Sequence, residues 1–79
     1  MILSELLKTV DESRNVDVYD TTESDWHRTL YEGPVTELDT DEVSAMFPGR
    51  DTHVADEEVL DVYEYEDGVC IGLANGTAR

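Results

Sequence analysis

Lysine occurs once in these 79 residues, at Lys8, and lysine and arginine together number 5 against 20 aspartates and glutamates. The formal charge is −15 at pH 7. So few cations argue against direct nucleic-acid binding, which relies on lysine and arginine to neutralise phosphates. The same charge repels anionic membrane surfaces. A single cysteine, Cys70, excludes a disulfide within the chain and makes the cytoplasm the simple expectation for its setting. No apolar run approaches the ~20 residues needed to span a bilayer. The start Met1-Ile2-Leu3-Ser4-Glu5 lacks the basic segment of a secretory signal.

Catalytic and ligand motifs are equally scarce. The chain has no glycine-rich phosphate loop and no nucleophile elbow. His27, His53 and Cys70 do not fall at zinc-ligand spacing, and both histidines read as ordinary surface residues. Setting Gly68 at the glycine position of an EF-hand loop puts Tyr63 and Tyr65 where ligand oxygens are required, so the calcium motif fails. A catalytic carboxylate pair needs surroundings that separate two pKa values. Nothing in the pattern marks one pair as buried, and the acids are expected on the solvated surface. Cys70 reads as a small half-buried strand residue with no basic neighbour to activate it. No enzyme activity, metal or cofactor is expected.

What remains is 39% hydrophobic residues, clustered and periodic, which points to one folded domain over residues 1–79. Leu3, Leu6, Leu7 and Val10 form a helical stripe, predicting a first helix over about residues 2–11. Residues 15–20 alternate as a strand with Val16 and Val18 on one face, and residues 26–32 read as a second, closed by Gly33-Pro34. Asp39 followed by Glu42 suggests a capping box for a short helix with Val43, Met46 and Phe47 inward, stopped at Pro48-Gly49. Residues 50–58 are polar and read as an exposed loop. Val59–Tyr65 and Val69–Leu73 flank Glu66-Asp67-Gly68, a hairpin turn. A type I turn with a glycine bulge would place Tyr63 and Tyr65 on the face of Val69 and Ile71. A two-residue turn would instead pair Leu60 and Val62 with Leu73 and Ile71; the bulged turn is preferred. The expected fold is α+β: a small antiparallel sheet of about four strands with an N-terminal helix and a short second helix.

Three stretches carry a resemblance: Ser4-Glu5-Leu6-Leu7, Val16-Asp17-Val18-Tyr19-Asp20, and residues 30–38, Leu-Tyr-Glu-Gly-Pro-Val-Thr-Glu-Leu. They resemble small uncharacterised phage and prophage accessory proteins with a "KELL"-type helix, a "V-x-V-Y-D" strand and a "Y-E-G-x-V" strand. The likeness covers roughly half the chain. It implies a phage or mobile-element context, acting in the host cell, and transfers no functional residue.

The acids themselves are the better lead. They gather at Asp17/Asp20/Glu23/Asp25, Glu37/Asp39/Asp41/Glu42, Asp56/Glu57/Glu58 and Asp61/Glu64/Glu66/Asp67. Carboxylates two residues apart on a strand, as at Glu64 and Glu66, would stand ~6.6–6.8 Å apart and imitate a phosphate track. Trp26, Tyr31, Tyr63 and Tyr65 lie beside these acids as candidate anchors, although core placement is favoured for Trp26. By charge and size the chain is similar to DNA-mimicking anti-CRISPR and anti-restriction proteins. The expectation is an inhibitor that occupies the basic channel of a nucleic-acid-binding protein, such as a nuclease or CRISPR effector. The alternative is a salt-adapted phage structural or accessory protein whose acids serve hydration alone.

Overall fold

Two hairpins joined through their inner strands make the sheet. The computed structural model describes residues 1–21, 28–49 and 52–74, the side chain of Arg28 excepted. Its elements are α1 (Leu3–Leu7), β1 (Asn15–Asp20), β2 (Arg28–Pro34), α2 (Thr40–Met46), β3 (Val59–Tyr65) and β4 (Gly68–Leu73). Single 3₁₀ turns at Val35–Glu37 and Val54–Asp56 flank α2. The α+β class with an N-terminal and a second short helix is as expected.

The strand order is β2-β1-β4-β3. Each hairpin is antiparallel within itself, but β1 and β4 run parallel, so the sheet is mixed rather than wholly antiparallel. The reason lies beyond local pattern. Alternation assigns faces, whereas strand direction follows from where the second hairpin enters after α2 and the 3₁₀ turns. Both inner strands send their apolar residues to one side. Val16 and Val18 of β1 join Val69, Ile71 and Leu73 of β4 in the core, with Leu30 of β2.

Every described helix or 3₁₀ turn adds to that same core: Leu3, Leu6 and Leu7 from α1, Val35, Val43 from α2, and Val54. One face of the sheet is therefore covered. Its opposite face receives no described helix.

Local chemistry explains several departures from the sequence pattern. Helix α1 is five residues, shorter than the 2–11 stripe suggests. The amides of Thr9 and Val10 bond the carbonyls of Leu6 and Leu7, three residues back, and the Thr9 hydroxyl also donates to Leu6 O at 2.7 Å. The chain tightens into turns there, yet Val10 still packs on the core. Asp39 caps α2 as expected, accepting from the amides of Asp41 and Glu42 at 3.0 and 3.2 Å. Val43 faces inward and Phe47 is partly buried, but Met46 points to solvent.

The stretch 52–58 is not simply an exposed loop. Val54 and Glu57 are completely or almost completely buried, held by a 3₁₀ turn under α1 and α2. His53 organises this turn and is more than a surface residue. Its Nδ1 accepts from the Ala55 amide and its Nε2 donates to Asp41 Oδ1 at 2.7 Å. The Ser44 hydroxyl oxygen accepts from the Val54 amide, adding a second tie between α2 and the turn.

The β3–β4 turn has two residues, Glu66 and Asp67, with Tyr65 opposite Gly68. The bulged alternative preferred from sequence requires a residue at positive φ, and none occurs in this turn. Val62 pairs Ile71, while an irregularity at Leu60 puts Val59 opposite Leu73. One residue of register inverts every side chain, so Tyr63 and Tyr65, paired with Cys70 and Gly68, lie on the uncovered face, away from the side chains of Val69 and Ile71.

Candidate functional site: the uncovered face of the sheet

Strand register arranges the uncovered face in rows. Glu32, Asp17, Cys70 and Tyr63 line up across β2, β1, β4 and β3. Beside them run Thr29, Tyr19, Gly72 and Asp61. A third row is Pro34, Asn15, Gly68 and Tyr65. Three carboxylates thus share the face with three tyrosines, and none of its described side chains is basic.

Glycines let this surface lie close. The Tyr19 ring crosses Gly72, where an added Cβ would stand 3.0 Å from the ring and still nearer the Thr21 methyl. At Gly68 a Cβ would collide with the Asn15 carbonyl oxygen, so β1 and β4 approach closely only because the position is bare. Tyr19 is consequently buried, whereas Tyr63 and Tyr65 are 52% and 59% exposed at the sheet's edge. Two open concavities of about 380 and 290 Å³ lie over Asp17 and Cys70, bounded by Tyr65 and, in the smaller one, by Tyr63 and Tyr19.

Asp17 is the electrostatic centre of the face. Its Oδ1 is buried and has no hydrogen-bond partner among the described residues. Glu32 stands directly opposite on β2, with Cβ atoms of such pairs ~4.5–5.5 Å apart. Burial, then the Glu32 charge, raises the Asp17 carboxyl above its ordinary value. The Cys70 thiol is also pushed up, first by burial and then by Asp17 and Glu32. That holds the sulfur protonated and unreactive. Burial raises the Tyr19 phenol as well, with Asp61, Tyr63, Cys70 and Asp17 adding to it. A surface with this pattern is short of one thing, positive charge.

The acids singled out from sequence divide between several places. Asp17, Asp61, Tyr63 and Tyr65 come together on the uncovered face. Asp20 and Glu57 are buried and engaged inside the protein, which overturns their assignment to a binding surface. Asp20 follows Tyr19 on β1, so alternation turns it to the covered side. Glu57 lies at the base of α1, where its carbonyl accepts from the Leu3 amide at 3.0 Å. Glu37, Asp39, Asp41, Glu42 and Asp56 are exposed on the helical side, and Asp39 and Asp41 serve as cap and histidine partner there. Glu58 binds the N-terminal ammonium at 3.0 Å. Glu64 is on the covered side of β3, and Glu66 and Asp67 form the turn. Glu64 and Glu66 therefore do not form a two-residue carboxylate track along one strand. Glu23, Asp25, Trp26 and His27 lie outside the described residues. Tyr31 packs against the core and its hydroxyl donates to Pro34 O at 2.6 Å, so it is no free anchor.

Three contributors are not among the candidate residues read from sequence. Tyr19 and Glu32 were both readable from alternation once Val16 and Val18 were placed inward, Glu32 needing the β1–β2 register as well. Arg14 carried no signal. Its guanidinium donates to the carbonyls of Tyr65 and Gly68 at 2.7 and 3.2 Å, clamping the hairpin end that presents Tyr65.

Among the described residues no group of three or more His, Cys, Asp or Glu is placed to hold a metal ion. No described helix is long and apolar enough to cross a membrane. No protein-family model matches the chain, and neither a curated protein nor a solved structure shows significant similarity to it.

Proposed function

We propose that this domain is a small acidic inhibitor that binds the basic nucleic-acid-binding surface of another protein through the uncovered face of its sheet. One observation carries the reading. A face bearing Asp17, Glu32 and Asp61, edged by the exposed rings of Tyr63 and Tyr65, holds no described basic side chain, and the Asp17 Oδ1 is buried unpaired. Arginine-rich surfaces supply what such a face lacks, by ion pairing with the carboxylates and stacking on the tyrosines. The carboxylates form a patch about three strand spacings, or ~14 Å, across rather than a linear track. Mimicry here is of charge density more than of phosphate spacing. Phage or mobile-element origin, with a host nuclease or CRISPR effector as target, is the form of this proposal that the sequence resemblance favours.

Immobilised domain offered a host lysate at about 50 mM and about 200 mM salt, with and without duplex DNA, tests the reading. The expected result is capture of basic nucleic-acid-binding proteins, lost on adding DNA and weakened by salt. Capture that is indifferent to both would overturn it.

A second reading has its own support. Acids also cover the helical side, at Glu37, Asp39, Asp41, Glu42 and Asp56, away from the uncovered face. That spread suits an accessory protein adapted to strong salt, where repulsion is screened within about 3 Å at 1 M. It predicts that folding fails in dilute buffer and recovers at molar salt.

A further inference from the structure

The two edges of the sheet are not equivalent. Strand β2 ends in Gly33-Pro34, and proline has no amide to offer another strand. Strand β3 is seven residues long and little protected: Leu60, Val62, Tyr63 and Tyr65 are 44–59% exposed. Among the described residues, only its beginning is occupied. The Val59 amide donates to the Met1 carbonyl at 2.8 Å, and Ile2 bridges Glu58. From Asp61 to Tyr65 no described strand pairs with the outer side of β3. Alternate amides and carbonyls along this stretch point outward, as in any edge of an antiparallel ladder.

Next to this edge on the covered side is a groove of about 230 Å³ between α1 and β3. Leu6, Val10 and Val62 give it an apolar lining, and Asp11 and Glu64 add carboxylates. Arg14 reaches the same groove, but its guanidinium is committed to the Tyr65 and Gly68 carbonyls, 4.0 Å from Glu64. On the other side of β3 stand Asp61, Tyr63 and Tyr65.

We infer that the outer edge of β3, over Asp61–Tyr65, takes up an extended basic segment of the partner protein as a fifth strand. This rests on the function proposed above and specifies how the partner docks. An added strand sends alternate side chains to the two faces. One set enters the α1–β3 groove beside Asp11 and Glu64, and the other reaches Asp61 and the tyrosine rings. A segment alternating basic with apolar residues fits this arrangement, its apolar side chains filling the groove against Leu6, Val10 and Val62 and its basic ones meeting Asp61 and the rings. A second copy of this chain does not fit. Strand β3 carries Asp61 and Glu64, leads into Glu66 and Asp67, and has no basic residue of its own. Pairing β3 with itself would set acid against acid in a chain already at −15, and like charges facing each other across strands are destabilising.

The test uses a synthetic peptide alternating arginine with valine, added to the whole domain at low salt. Amide hydrogen exchange read by NMR is expected to slow by about tenfold or more at the outward amides of Asp61–Tyr65, with β2 unaffected. In an Asp61→Lys variant, shown to be folded by circular dichroism, the arginine peptide should bind at least about tenfold more weakly, and unchanged binding would overturn the inference. Peptide binding that protects residues away from β3 would overturn this inference and leave the proposed function intact. Protection of β3 without peptide, growing with protein concentration, would assign the edge to a second copy and overturn it as well. Absence of any binding by the arginine peptide also overturns it, whereas the proposed function stands or falls separately, on the lysate capture and its response to salt and DNA.

Discussion

Replacing Asp17 by asparagine should make the free domain more stable while weakening it as a binder. The carboxyl lies half-buried in the sheet, opposite Glu32 on β2 and beside Cys70 on β4, with Tyr19 two residues along and Tyr63 and Tyr65 bounding the concavity over it. Its folded-state pKa is raised above 3.8. A carboxyl whose pKa rises on folding holds its charge less readily in the folded chain, so ionised Asp17 is a cost to the fold. That cost is fully present above the folded pKa and disappears below the unfolded pKa of 3.8. Facing like charges contribute about 0.2–1 kcal/mol. An unpaired buried oxygen adds about 1–3 kcal/mol when fully desolvated, and less for a half-buried group. Asparagine removes the charge and retains the shape, so a gain of about 1 kcal/mol is expected. In a domain of this size that is a rise of about 4–8 °C in Tm. Thermal and urea unfolding at pH 7 measure the gain, and a pH series should show it shrinking as the pH falls toward 3.8. A variant that is less stable than the parent at pH 7 would refute the account of Asp17. So would a gain that persists unchanged in acid.

Other expectations concern the scaffold. Ile71→Ala, at a completely buried centre of β4, should cost about 2–5 kcal/mol by urea unfolding. Gly68→Ala should be destabilising by chemical denaturation, because its methyl meets the Asn15 backbone rather than a movable side chain. His53→Ala removes both the cap on the Val54–Asp56 turn and the link to Asp41, and should lower stability by about 1 kcal/mol. Local hydrogen exchange should quicken around residues 53–57 in that variant. Arg14→Ala should leave the core in place but loosen the Tyr65–Gly68 hairpin end, seen as faster amide exchange there.

Strand and helix positions followed from local pattern because the apolar residues alternate cleanly in Val16/Val18 and Val69/Ile71/Leu73. Asp39 was readable as a cap for the same reason: a short acceptor ahead of an apolar helical turn. The parallel pairing of β1 with β4 was not readable, since nothing local records which strand a distant segment will join. The faces of Tyr63 and Tyr65 turned on one residue of turn geometry, and Glu66-Asp67-Gly68 is compatible with either turn. Burial of Asp20 and Glu57 ran against the general rule that acids stay in solvent, and only tertiary contacts reveal such exceptions. The candidate face was half legible. Alternation separates Asp17 and Tyr19 from the core valines, but bringing Asp61 and Tyr63 beside them requires the full four-strand register.

We propose that the uncovered face, rather than bulk acidity, engages a basic partner. The most direct measurement compares the affinity of a captured basic protein for two folded variants that lose equal charge. One is Asp17→Asn/Asp61→Asn on the uncovered face, and the other is Glu37→Gln/Glu42→Gln on the helical side. The expected result is at least about a tenfold loss, or ~1.4 kcal/mol, for the first and little change for the second. Equal losses from the two variants would contradict it and return the acids to the role of a diffuse charge.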